Sequence, residues 1–206
     1  MNFDNSSDGK KETLESIFLF IAPIIIIIPF YILNILQDIY IAYYLIYLTY
    51  ILGSVLILKA NHHELREIGI SSDNLKESML LACGFVIAYV VAQALGSEMH
   101  LATNLTPLSI VEQIIFNFLF SGPGQEILFR GIMFFSIWRW KGWKAALAVT
   151  SILFGFAHLL KGIRYIAATV LIGLIYGYVT YRTKNIVGPM MAHGLNNFIL
   201  GFILVV

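Results

Sequence analysis

The chain has 206 residues, of which 59% are hydrophobic and only 12% charged, and its formal net charge is +1. A soluble domain carries roughly 45–50% apolar and about 25% charged residues, so this composition leaves too little polar surface to face water. With no basic face or arm, nucleic acid is excluded as a partner.

The length fits one domain. The single cysteine, Cys83, lies within an apolar run, so no intramolecular disulfide can form. It reads as a small apolar helix residue.

Residues 1–13 are polar and read as a short disordered tail. The apolar run that follows, about 14–36, is longer than the 7–15-residue core of a signal peptide and is followed by no small-x-small cleavage site, so it reads as a mature spanning helix. A span needs about 20 mostly apolar residues. Seven candidates satisfy this in outline, at roughly 14–36, 39–58, 77–96, 108–138, 145–160, 163–182 and 186–205. The fold class expected is therefore all-α: a polytopic transmembrane bundle of about seven spans, six to eight, with 14–100 as an N-terminal group of helices. The fourth segment is too long for one straight crossing. Its Ser121-Gly122-Pro123-Gly124 run predicts a break, with a new helix whose positive end points at Gln125.

Charge orients the spans. With the N-terminus cytoplasmic, Lys10, Lys11, Lys59, Arg66, Lys76, Arg139, Lys141, Lys144, Arg182 and Lys184 lie inside, against Lys161 and Arg164 outside. That asymmetry follows the positive-inside rule, and Trp138, Trp140 and Trp143 flank the same side, as interfacial aromatics do. Gly173 and Gly177, with Gly155 and Ala157 nearby, are a packing signal for close helix approach. The loop 59–76, with His62 and His63, reads as a solvated charged loop.

Polar and ionisable groups within spans are costly and mark functional sites. They occur at Gln125, Glu126 and Arg130, at His158, and at His193 with Asn197. At 1.5 Å per residue, Glu126, His158 and Asn197 lie roughly 17–20 Å from the cytoplasmic ends of their spans, and His193 roughly 11 Å. Helices running in alternating directions thus bring their polar residues to one layer. Glu126 and Arg130 are four residues apart and can pair on one face, and so can His193 and Asn197. The plainer alternative is a set of hydrogen bonds that hold helices together.

Three motifs carry a resemblance: Gln125-Glu126-Ile127-Leu128-Phe129-Arg130-Gly131, Phe154-Gly155-Phe156-Ala157-His158, and His193-Gly194-Leu195-Asn196-Asn197. In this order they resemble the E-E-x-x-x-R, F-x-x-x-H and H-x-x-x-N motifs of the CPBP family, the CAAX proteases and bacteriocin-processing enzymes also called the Abi family. The resemblance covers about 110–205 and marks 108–206 as a catalytic core. It implies an intramembrane endopeptidase of glutamate or metalloprotease type, in which a glutamate and a histidine activate water. The second histidine and the asparagine would stabilise the oxyanion. The substrate implied is a membrane-embedded or lipidated peptide, and the bilayer of the cell membrane is the surrounding partner.

Two questions stay open at this stage. Glu126, His158 and His193 are also of the types that hold zinc with one open position, although the H-E-x-x-H spacing is lacking. Gln125 stands where the family keeps its first glutamate, so the chain is an engineered inactive variant, a natural pseudoprotease serving as membrane scaffold or immunity-type protein, or an enzyme that uses Glu126 as base. A small transporter would also place polar groups at mid-depth, but no internal repeat of spans supports one.

The orientation is testable. In a Cys83→Ser background, single cysteines replacing Lys10 or Lys184 should react with an impermeant maleimide only from the cytoplasmic side, and one replacing Lys161 only from the opposite side.

Overall fold

Apolar runs fold into helices here because a bilayer offers no partners for backbone N–H and C=O groups. The computed structural model describes residues 6–36, 38–96, 100–103 and 105–205, and these form seven helices. They are α1 (Ser6–Ile32), α2 (Ile39–Ala60), α3 (Leu75–Gly96), α4 (107–141), α5 (Trp143–Phe156), α6 (Ile163–Thr183) and α7 (Val187–Phe198), the last continuing in wide turns through Ile199–Ile203. A two-residue antiparallel pairing of His100–Leu101 with Leu204–Val205 ties the α3–α4 link to the end of α7.

Among the described residues, four stretches are long and apolar enough to cross a membrane: Ser7–Ile32, Ile39–Ala60, Leu75–Leu95 and Ile163–Thr183. Large side chains such as Phe18, Ile25, Leu56, Leu80 and Leu171 point outward from them and are exposed. Lipid is the solvent for such a surface. The chain is an all-α membrane bundle, as its composition requires.

α4 runs through the centre. Phe129, Met133, Phe134 and Phe135 on it are fully buried, with α1, α2, α5 and α6 around them. Edge-to-face contacts fasten the surroundings: Phe20 of α1 lies 5.2 Å and Phe154 of α5 lies 5.5 Å from the Phe129 ring. The glycine signal of α6 is also met. A Cβ at Gly173 would lie 3.0 Å from the Ser151 Cα, and one at Gly177 would lie 2.7 Å from a Leu147 methyl, so bare backbone is what lets α5 and α6 touch.

The structure departs from the sequence expectations at four places. Residues 6–13 are helical rather than a tail, while 1–5 lie outside the described residues. Buried Glu12 pairs with Arg139 of α4 and accepts from His63 Nε2 at 2.8 Å, and Thr13 Oγ1 bonds Ser136 Oγ at 3.1 Å. These polar contacts carry the helix beyond its apolar run.

The loop 59–76 is correspondingly fixed rather than merely solvated. His63 Nδ1 meets Glu67 at 2.9 Å, and Glu67 also accepts from the Glu64 N–H at 2.8 Å. Burial opposes ionisation of Glu67, but these donors and nearby Arg139 hold its carboxyl below the ordinary value of 4.5.

α4 does not break. Backbone torsions stay helical at Ser121, Gly122 and Ile127, and the helix instead widens, with Gly122 N–H bonding Asn117 C=O and Phe134 N–H bonding Phe129 C=O, five residues back. Pro123 has no N–H and its ring crowds the preceding turn. A wide turn just before it relieves both problems without ending the helix. No helix terminus points at Gln125. Finally, α5 ends at Phe156, so His158 sits in the turn beyond it rather than within a span.

A folded-state carboxyl held below its unfolded value stabilises the protein above that unfolded value, and the contribution is lost as pH falls through the folded one. Thermal midpoints in detergent should therefore be higher for unmodified protein than for Glu67→Gln at pH 7, with the gap closing as pH drops below 4.5.

Candidate active site

The site is assembled where α4 and α7 approach closely. At α4, a Cβ on Gly122 would lie 2.7 Å from the Met190 carbonyl oxygen of α7. On α7, a Cβ on Gly194 would lie 2.9 Å from the Asn117 carbonyl oxygen of α4. Neither helix could carry a side chain at these points without retreating. The contact places two layers of polar groups against one another.

The first layer is ionic. Glu126 and Arg130, one turn apart on α4, are both fully buried, and Arg130 Nη1 donates to Glu126 Oε1 at 3.2 Å. The same oxygen accepts from His193 Nδ1 of α7 at 2.7 Å. Arg130 Nη2 reaches the Gly173 carbonyl of α6 at 3.4 Å, and its guanidinium carbon lies 4.2 Å from the centre of the Phe154 ring of α5. Four helices therefore converge on one charge pair. A buried charge left without its partner costs about 3–5 kcal/mol, which explains why the contacts are so dense.

The second layer is neutral. Ser121 Oγ accepts from Asn197 Nδ2 of α7 at 3.1 Å and from Gln125 Nε2, one turn along α4, at 3.4 Å. Gln125 and Ser121 are buried and Asn197 is half-buried. With both amide nitrogens turned to Ser121, the Gln125 carbonyl oxygen faces away from it.

His158 joins through packing. Its ring lies 5.2 Å from that of Phe154, and His193 lies 5.6 Å from Phe154, so one phenyl ring contacts both imidazoles. His158 Nδ1 is taken by the Phe154 carbonyl at 2.9 Å. A carbonyl accepts only, so the Nδ1 carries the proton and the lone pair is on Nε2.

All six residues named from the sequence thus fall in one region: Glu126, Arg130 and His193 in direct contact, Gln125 and Asn197 through a shared serine, and His158 across Phe154. Ser121 and Tyr176 were not singled out. Neither ionises readily, so a search for charged groups in spans passes over them. Tyr176, buried on α6, lies with its ring 6.2 Å from His193 and its hydroxyl unpartnered among the described residues. Only the four-residue step from Ser121 to Gln125 hinted at the serine.

The residue types suited to zinc do not fit it in this arrangement. Among the described residues no three His, Cys, Asp or Glu side chains form a group able to hold a metal ion. Glu126 Oε1 is shared with the Arg130 guanidinium, whose positive charge competes with any cation there.

A buried carboxylate–imidazole pair, a second imidazole and two convergent amides inside a membrane bundle form the kind of site in which a peptide bond can be hydrolysed. Residues 107–199 match the family model described as Type II CAAX prenyl endopeptidase Rce1-like. The match falls on the family that the three motifs resemble, and it contains every residue of the site. No curated protein and no solved structure matches the chain.

Because bare backbone sets the α4–α7 distance, Gly122→Val should push the helices apart and destabilise the protein by about 1–3 kcal/mol, the usual cost of overpacking. Detergent-solubilised unfolding measures this. An unchanged midpoint would show that the contact is looser than described.

Proposed function

We propose that this protein is an intramembrane endopeptidase of the CPBP, or CAAX-protease, type. It hydrolyses a peptide bond in a membrane-associated, lipidated peptide, with residues 108–206 as the catalytic core. The observation that carries this reading is the pair of adjoining buried polar layers, in which Glu126, Arg130 and His193 touch and Ser121 links Gln125 to Asn197. A structural hydrogen bond between helices needs one such pair. Two imidazoles with free ring nitrogens and two amides side by side exceed that need.

The chemistry is addition of water to a peptide carbonyl. An imidazole accepts the water's proton, while amide N–H groups such as that of Asn197 stabilise the oxyanion in a low-dielectric setting. The basic residues at the ends of α1, α4 and α6 put the N-terminus in the cytoplasm, so the substrate approaches from that side. The cell membrane is its location. The family model's name supports a prenylated peptide as the substrate class.

Gln125 favours a second reading. An amide cannot accept a proton from water as the family's glutamate would, and a chain so altered could keep the fold as a binding scaffold. The two readings separate in one assay. Protein in liposomes is mixed with a fluorophore–quencher peptide ending in a farnesylated CAAX tetrapeptide. Release of the tripeptide is expected, and Asn197→Ala should slow it roughly 10²- to 10³-fold, as loss of an oxyanion donor does. Binding of the peptide without cleavage would favour the scaffold.

A further inference from the structure

Gln125 takes the family's carboxylate away from its usual place, but it does not remove proton-accepting groups from the layer. The shortest polar contact among the site residues is His193 Nδ1 to Glu126 Oε1, at 2.7 Å. Ionised Glu126 has no proton to give, so Nδ1 carries it and the imidazole lone pair resides on Nε2. Glu126 Oε1 accepts from both Arg130 and His193, while Oε2 is buried and has no hydrogen-bond partner among the described residues. Oε1 is thus committed to holding the imidazole, and with the residue fully buried its carboxylate serves to orient His193.

His158 also offers an Nε2 lone pair, but what lies behind each ring differs. A proton taken by His193 gives an imidazolium backed by a carboxylate. One taken by His158 gives an imidazolium backed by a neutral carbonyl, with cationic Arg130 and Lys161 nearby. Arg130 stands near both rings, since it shares Glu126 Oε1 with His193, so what distinguishes His193 is the carboxylate in direct contact with it. The other groups facing His193 are His158, which interacts with it electrostatically, and Phe154 of α5 and Tyr176 of α6, which are uncharged at neutral pH.

We propose that the general base of this chain is His193 Nε2, oriented by Glu126, and that Gln125 is a hydrogen-bonding group for the water rather than a disabled base. The proposal rests on the endopeptidase reading above. Water oxygen forms a bond to the substrate carbonyl carbon while one water proton passes to His193 Nε2. Collapse of the tetrahedral oxyanion breaks the carbon–nitrogen bond, and the proton on Nε2 moves to the leaving amine. The products are a carboxylic acid and an amine, and His193 is neutral again. Gln125 suits the water-holding part because its Nε2 is occupied by Ser121, leaving its carbonyl oxygen free to accept from water. Glu126 is a positioning residue and touches no reacting atom.

The test is the pH dependence of kcat/KM on the farnesylated quenched CAAX peptide, in liposomes, for the unmodified chain and for His193→Gln, His158→Gln, Glu126→Gln and Gln125→Glu. Unmodified protein should cleave, with a rate that rises through one ionisation to a plateau. His193→Gln keeps the Glu126–Arg130 pair, and so the fold, but should lose roughly 10²- to 10⁴-fold in rate together with that ionisation. His158→Gln should be slower with the ionisation retained. Glu126→Gln, if it folds, should move the ionisation to lower pH, because its imidazolium has lost the carboxylate. Loss of the ionisation in His158→Gln and its retention in His193→Gln would overturn the assignment in favour of His158. Turnover only by Gln125→Glu would overturn it too while leaving the endopeptidase reading intact, and no turnover by any form would remove both.

Discussion

One carboxylate oxygen organises this bundle. Glu126 Oε1 accepts from Arg130 on its own helix and from His193 on α7, with all three side chains buried inside the bundle. A buried charge left without its partner is costly, which ties these side chains to one another. The Gly173 carbonyl of α6 and the Phe154 ring of α5 add contacts to Arg130, while Arg130 Nε and Glu126 Oε2 have no hydrogen-bond partner among the described residues. The charge pair therefore dictates how four helices meet, and the functional layer lies where that constraint is tightest.

Close approach is achieved by removing side chains and by widening a helix. Gly122 and Gly194 clear the α4–α7 contact, and the wide turn before Pro123 accommodates a residue that would otherwise end α4 in mid-bundle. Wide turns are costly in hydrogen-bond geometry and recur at functional sites. In this chain they flank the short stretch Gly122–Glu126, which carries Gln125 and Glu126. The same deformation keeps α4 intact and aims its polar face at α7.

A second ionic cluster lies at the basic end of the bundle. Glu12, Arg139, His63 and Glu67 link α1, α4 and the α2–α3 connection, while Lys184 sits over the Trp138 ring at 3.8 Å. Burial lowers the Lys184 ammonium to about 8. These contacts fix helix ends whose apolar sides have little to choose between neighbours. Specific packing in lipid depends on such polar contacts, because hydrocarbon outside is as apolar as the core.

Much of this was legible in the chain itself. Composition demanded a membrane bundle, and apolar length located the long helices α1, α2, α3 and α6. The rarity of ionisable residues in spans pointed to Glu126, Arg130, His158 and His193, since burying a charge is too expensive to be incidental. The i,i+4 spacing of Glu126 and Arg130 was enough to pair them.

What the chain could not state was which groups would meet across helices. That His193 binds Glu126 through Nδ1, that Ser121 holds both Gln125 and Asn197, and that His158 stays apart behind Phe154 all depend on helix rotation and separation. Those are decided by glycine contacts between segments distant in sequence. The continuity of α4 was likewise beyond a local reading: proline and glycine signal a break, and only the surrounding bundle makes a wide turn the better solution. Helix length and chemical character are properties of each segment, whereas proton positions and partners belong to the packed assembly.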